Sequence, residues 1–320
     1  MADTPSIAEV MALIEQMPEP DREELIQSLH SADDLAVVIR ALEEHADRAR
    51  QCPHCKAVGA QKRGRVSGLA RFHCRACRKT YNALTGTPLA RLRMKDRWLE
   101  MAAAMAAGDS VRKAASRCDI DKNTSLRWRH RFLRAARGHR KGTKLGGVTE
   151  MDIAYLRRSE KGSRTLSGGR KARRRGGPKK TDEALVPILT GVERGGDLVA
   201  DVLQSETAGA IRYVLGDCLA RGTIVVTDSA KNFGRTFRKM GIHHERVNLA
   251  HKQRVNGPFH VQTANGIHSL FRRFLRPFNG VATKYLANYL EWFRTLEHRH
   301  ASTRFAFLSS IIDGAIMGRA

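Results

Sequence analysis

The sequence predicts a multidomain protein of mixed α+β and α/β class, and three patterns carry that reading. Two Cys-x-x-Cys pairs stand 18 residues apart. A short helix, a tight turn and a capped basic helix follow them. From residue 147 the hydrophobic patterning runs strand, two-stranded hairpin, helix, strand, helix, strand, helix. A chain of 320 residues is long enough for two or three domains with a sizeable core.

Charge narrows the function classes. Lys and Arg number 57 against 32 acids, a formal net charge of +25. A protein this basic attracts polyanions, and nucleic acid is the usual one. A membrane is not expected: the most apolar early stretch, Met101 to Ala107, is far too short to span a bilayer. The N-terminus has no basic-then-apolar export signal, so a cytoplasmic, nucleoid-associated location is expected. The charge is unevenly spread. Residues 1–50 hold 12 acids and four Lys or Arg, leaving +33 on the remainder. This acidic segment reads as two or three short helices. Ile7, Val10, Met11 and Ile14 recur at helical spacing, Pro18 and Pro20 break the run, and a helix capped by Asp21 runs to about Leu29.

Residues 51–84 read as a zinc ribbon. Cys52 and Cys55 (Cys-Pro-His-Cys) and Cys74 and Cys77 (Cys-Arg-Ala-Cys) make two knuckles, and each tight turn aims both thiolates at one tetrahedral ion. The basic stretch between them is strand-like over Gln61 to Arg65 and Ala70 to His73. His54 and His73 are bystanders, because four thiolates complete the zinc shell. Cys118 and Cys218 fall on apolar faces and read as core.

Residues 92–140 read as a helix-turn-helix. An amphipathic helix over 95–107 precedes a short helix from Ser110, a turn, and a second helix capped by Asp121. That second helix is expected to present Lys122, Asn123, Ser125, Arg127 and Arg129 to a DNA groove or to phosphates. Glycines 142, 146 and 147 mark a linker.

Residues 147–320 make the last domain. Val148 to Leu156 is a strand holding Asp152; Leu185 to Val192 and Leu198 to Leu203 form a hairpin; Ser205 caps a helix; Thr223 to Thr227 is a strand ending at Asp228. A helix over 231–240, a strand from His244 to Val247 and helices over 264–276 and 283–298 complete it. Between the first strand and the hairpin, residues 157–180 carry 11 Lys or Arg, including Arg173, Arg174 and Arg175, among many Gly and Ser, and read as a flexible basic loop. The order of elements matches the ribonuclease-H-like fold, whose first and fourth strands are neighbours. Asp152 and Asp228 could then share a divalent ion, Mg²⁺ or Mn²⁺, with Glu150 on the same strand face as a fallback ligand. Two such ions about 4 Å apart would activate a water or a DNA 3′-hydroxyl. On the 264–276 helix, His268 occupies the place of a third ligand; Asn265, one turn earlier, is either a second candidate or the helix N-cap.

These residues resemble the bacterial insertion-sequence transposases that join an N-terminal zinc ribbon to a DDE integrase-type domain, the ISXO-type group numbered fifteen-ninety-five. The resemblance runs from about residue 50 to the C-terminus. It is carried by the two cysteine pairs, Thr85-Gly-Thr87, Thr149-Glu-Met-Asp152, Val192-Glu-Arg-Gly-Gly196, Val226-Thr-Asp228, Ala264-Asn-Gly-Ile-His268 and the helix from Tyr289 to Arg299. The chain departs from the family at three places: Ile153 follows Asp152 where Glu is usual, His268 stands where Glu or Asn is usual, and Leu275 stands where a basic residue is usual, leaving Arg276 or Arg272 to serve. The resemblance implies metal-dependent strand cleavage at terminal inverted repeats and strand transfer into target DNA by a homodimer or larger assembly. It also implies phosphate contacts from the 157–180 loop and from Arg272, Arg273 and Arg276. The missing third acid leaves one alternative, a catalytically inactive, domesticated DNA-binding regulator.

Overall fold

The computed structural model describes residues 16–166, 185–216, 218–228, 231–248, 255–297, 301 and 303–318. Ile7, Val10, Met11, Ile14, Arg173, Arg174, Arg175 and most of the 157–180 stretch lie outside the described residues.

Among the described residues the first long helix is α1 (Glu19–Ala49), which runs well beyond the end expected near Leu29. Pro18 holds its N-cap position and Pro20 sits in its first turn, where a missing N–H costs no hydrogen bond, so the prolines start this helix and do not divide it. Its apolar edge, Val38, Leu42 and Ala46, is buried in the same core as the cysteine-rich segment. Glu43 fastens the contact by accepting from the Ala70 N–H at 2.5 Å and from Arg65 at 3.1 Å.

Strands β1 (Gln61–Val66) and β2 (Leu69–His73) form an antiparallel hairpin. Its turn residues Ser67 and Gly68 both have positive φ, 51° and 77°, which matches the right-handed strand twist. β3 (Thr80–Tyr81) pairs with β2. Three helices follow: α2 (Trp98–Ala106), α3 (Val111–Arg117) and α4 (Lys122–Ala136). Ser110 accepts from Lys113 N at the start of α3, and Asp121 accepts from Asn123 N and Thr124 N at the start of α4. Cys118, between them, is fully buried.

The second half is built on a five-stranded sheet: β4 (Val148–Arg157), β5 (Leu185–Glu193), β6 (Leu198–Val202), β7 (Ile224–Asp228) and β8 (His243–Val247), in the spatial order β6-β5-β4-β7-β8. β4, β5 and β6 are antiparallel neighbours, whereas β7 runs parallel to β4 and β8 parallel to β7. One face of the sheet (Met151, Leu189, Val199, Val225) packs on α5 (Ala208–Leu215) and α6 (Lys231–Met240). Thr207 caps α5, not Ser205, because its hydroxyl is the one that accepts from Ala210 N. The other face (Val186, Ile188, Val192) packs on α7 (Gln262–Leu275) and α8 (Leu286–Glu297).

A final helix, α9 (Arg304–Met317), was not anticipated from the sequence. It turns back to the N-terminal half, where Phe307, Leu308, Ile311 and Ile312 join Trp98, Met101 and Phe132 in one core. The two halves of the chain therefore share a packed interface. Among the described residues, no helix is long and apolar enough to cross a membrane.

Candidate functional site

Two places concentrate functional chemistry. The first is the cysteine cluster. The Cys52, Cys55, Cys74 and Cys77 sulfurs all lie within 4.8 Å of one another, with Cys52–Cys77 and Cys55–Cys74 each at 3.6 Å. A tetrahedral zinc with sulfurs at about 2.3 Å needs sulfur spacings of about 3.8 Å, so the donor set fits zinc. The Cys77 backbone N–H holds the Cys74 thiol down at about 7. The Ala57 backbone N–H acts the same way on Cys55, but its sulfur neighbours and loss of water push that thiol up to about 12.

The second place lies on the α7 face of the sheet. β4 and β7 are adjacent and parallel, with Met151 opposite Thr227 in register. The next residues along, Asp152 and Asp228, therefore sit side by side on strands about 4.8 Å apart. Alternation puts Asp152 on the face of Ala154 and Leu156, and Asp228 on the face of Val226, both toward α7. From α7, His268 points Nδ1 at Asp152 Oδ2, 3.6 Å away. Burial, and then the neighbouring Asp228 carboxylate, push Asp152 up to about 6. Burial, and then the Arg272 guanidinium, push His268 down to about 4. The imidazole is therefore neutral at neutral pH, and its buried Nε2 has no hydrogen-bond partner. Two crowded carboxylates beside a neutral imidazole with an orphaned nitrogen are a donor set that a divalent cation would satisfy. The set is open, however: among the described residues only the four cysteines close to within 4.8 Å.

Glu150 is not available as a fallback ligand. It is fully buried and its oxygens are occupied. They accept from Arg194 Nε at 2.9 Å, Thr263 N at 2.7 Å, Thr263 Oγ1 at 2.8 Å and Ala264 N at 3.3 Å, and His260 Nδ1 lies 3.1 Å away. Glu150 thereby does from a distant strand what an N-cap side chain would do, satisfying the free N–H groups that open α7. Asn265 is not that N-cap. The helix begins three residues before it, and Asn265 is exposed on its surface.

On α4, Lys122, Asn123 and Arg127 are exposed as expected. Ser125 and Arg129 are not. Ser125 is buried and donates to Val111 O at 3.1 Å, pinning α4 to α3. Arg129 is buried, donates to Asp109 O at 2.6 Å and stacks 4.9 Å over Trp292. Their positions on the helix face the core, so both brace the helix instead of presenting a surface. The surface stripe that starts at Arg127 continues at Arg131 and Arg134, one and two turns on, a helical spacing legible in the sequence but not read there. Arg272, Arg273 and Arg276 are all exposed along the second half of α7 and just beyond it.

Residues 144–294 match the family model for the ISXO2-like transposase domain. An uncharacterized protein in transposable element ISH50 of Halobacterium salinarum is 28% identical over 272 residues, covering 83% of this chain and 91% of that relative. The matched segment begins just before β4 and ends inside α8, so it contains the whole sheet, both aspartates and His268.

Proposed function

We propose, from the premise that this chain carries an ISXO2-like transposase domain, that it is the transposase of an insertion sequence and acts on DNA ends by phosphoryl transfer. The reading takes residues 147–320 as a ribonuclease-H-like DDE domain, residues 51–84 as a zinc ribbon and residues 92–140 as a helix-turn-helix that binds terminal inverted repeats. The observation that carries it is the meeting of Asp152 and Asp228 on adjacent parallel strands, with His268 facing them from α7.

Each residue has a role in this reading. Asp152 and Asp228 are the oxygen ligands, and neutral His268 is the third donor. A Mg²⁺ or Mn²⁺ ion held there would polarise the scissile phosphate and lower the pKa of an attacking water or 3′-hydroxyl. Imidazole in the third position favours Mn²⁺. Arg272, one turn from His268 and close enough to influence both His268 and Asp152, is placed to hold a phosphate oxygen at the site. Lys122, Asn123 and Arg127 form the exposed start of the DNA-reading helix. Joining two element ends calls for two or more copies on DNA.

The test is cleavage and strand transfer on labelled DNA carrying the element's own ends, in Mg²⁺ and separately in Mn²⁺. Wild type is expected to cut and join. Asp228→Asn is expected to lose at least a thousandfold in rate, and His268→Ala to lose cleavage in both metals. A wild type that binds the ends yet cuts in neither metal overturns the catalytic assignment.

A further inference from the structure

Arg127 and Arg134, exposed on α4, and half-buried Arg131 between them do not stand on an isolated helix. They form one wall of a groove of about 670 Å³ whose other wall is the irregular segment that follows the ribbon. Arg127, Arg131 and Arg134 face Arg91 and Arg93 across it, with Tyr285 at its end. The opposite wall is built for display. Arg131 donates to the carbonyls of Pro88 (2.6 Å) and Ala90, which fastens that segment to α4. Arg91 and Met94 both take left-handed φ, 62° and 48°, a conformation that costs energy in a residue with a side chain. Between them Arg91 and Arg93 remain exposed.

The groove continues. A second stretch of about 550 Å³ shares Leu126, His130 and Tyr285 with the first. At the junction the His130 and Tyr285 rings stack at 3.8 Å, and Lys284 lies 5.0 Å from the Tyr285 ring. The far wall of this stretch is the segment from Pro277 onward, directly after Arg276 at the end of α7. His268, Arg272 and Arg276 are spaced four residues apart on that helix, so the path from the groove's end back to the acidic pair is about 12 Å along one stripe. Among the described residues lining either stretch, none is Asp or Glu. Like charges crowd the groove: Arg134 and Arg127 depress Arg131 after burial does, and Arg129, Arg134 and Lys284 add to burial in holding His130 down at about 4.

We propose that this continuous groove is the track for a DNA sugar-phosphate backbone, running from Arg91 and Arg93 past α4 and Lys284 to Arg276 and Arg272, so that the DNA bound by the N-terminal half is led to the acidic pair of the same chain. The proposal rests on the transposase reading above and adds to it residues and a direction. Cations lining a groove without acids recognise phosphate irrespective of sequence, and each phosphate neutralised adds about 0.9 to the steepness with which log affinity falls against log salt.

Fluorescence anisotropy on the full chain tests it. The probes are a duplex carrying the inverted repeat that flanks the coding gene and a scrambled duplex of equal length, each titrated across a salt series. Arg91→Ala with Arg93→Ala is expected to weaken binding to both duplexes by a similar factor, roughly tenfold or more, and to lower the salt slope by about two. Lys284→Ala is expected to lower it by about one. Arg212→Ala, exposed on α5 across the sheet, is expected to change neither. Zinc content and thermal midpoint check that each variant is folded. If wild-type binding keeps its salt dependence but the Arg91/Arg93 variant matches it in affinity and slope, the groove is not the track and the transposase reading stands. An effect of Arg91/Arg93 without one of Lys284 overturns the continuity. Wild-type binding that is absent or insensitive to salt removes both the track and the reading it rests on.

Discussion

Glu150 and Asp152 stand two residues apart on the same face of β4 and meet opposite fates. Asp152 reaches the open end of the site with a neighbouring carboxylate and no guanidinium in contact, and its proton is held up to about 6. Glu150 lies one step deeper, paired with Arg194 and closing the N-terminus of α7. A buried carboxylate with that many donors is costly to remove, because Arg194 and two backbone N–H groups would be left unpaired. Glu150→Ala is expected to destabilise the fold by about 3 kcal/mol, read as a shift of the urea midpoint, with Glu150→Gln losing less because its amide oxygen still accepts from α7. A wild-type midpoint for Glu150→Ala would show that the network contributes nothing. The positions of the two aspartates were legible from strand order, since Asp152 lies within the first strand and Asp228 closes the β-branched fourth. The role of Glu150 was not, because its partners Arg194 and Thr263 lie 44 and 113 residues away and nothing local distinguishes an exposed carboxylate from one closing a distant helix. The same limit explains Arg129: its residue type says surface, and only the packing of Trp292 against α4 turns it inward.

At the scale of elements, local signals did well wherever the chain caps or turns itself. Asp121 and Ser110 start their helices as their side chains dictate, and the cysteine knuckles and both hairpins fall where expected. Elements defined by distant contacts were harder to read. The α1 helix runs on past Leu29 because its later turns bury Val38, Leu42 and Ala46 on the ribbon core, and α9 is apolar on nearly every side, so its periodicity is weak. Yet α9 depends on a local choice of residue. A Cβ at Gly314 would lie 2.6 Å from the Ala135 carbonyl oxygen and 2.8 Å from the Ala136 Cα, both backbone atoms at the end of α4. Gly138 makes the reciprocal approach to the Gly314 carbonyl. The two segments touch backbone to backbone, and neither can yield by rotating a side chain. Gly314→Ala is therefore expected to cost about 2 kcal/mol by chemical denaturation, although alanine is the better helix former. A stabilised Gly314→Ala would mean that α9 can slide and that the crossing is not close-packed.

For the whole molecule, the sheet and the N-terminal half share one structure through α9 and α8, and their buried histidines make that structure sensitive to acid. His130 sits between α4 and Tyr285, His244 on β8 donates to or accepts from Thr227 at 2.8 Å, and His268 lies beside the acidic pair. Burial, acting first, holds all three down at about 4. The unfolded chain takes up these protons near the ordinary histidine value of about 6.5, before the folded chain can. Stability is therefore complete above about 6.5 and is lost as pH falls toward about 4. Asp152 works the other way: with a folded value of about 6, above its unfolded 3.8, it binds a proton more readily in the native state and adds stability as pH falls through 6. Three groups outweigh one, so the denaturation midpoint should fall between about pH 6.5 and pH 4.5, and His130→Gln should flatten that net fall by about half. Zinc release, followed in the same samples with a chromogenic chelator, separates the protonation of the cysteine cluster from that of the histidines, because chelating the zinc at pH 7 would mimic the first and leave the second untouched. A midpoint that stays level down to about pH 4.5 would mean that these imidazoles reach water in the folded protein, and with it that His268 lacks the dry environment on which its place beside Asp152 and Asp228 depends.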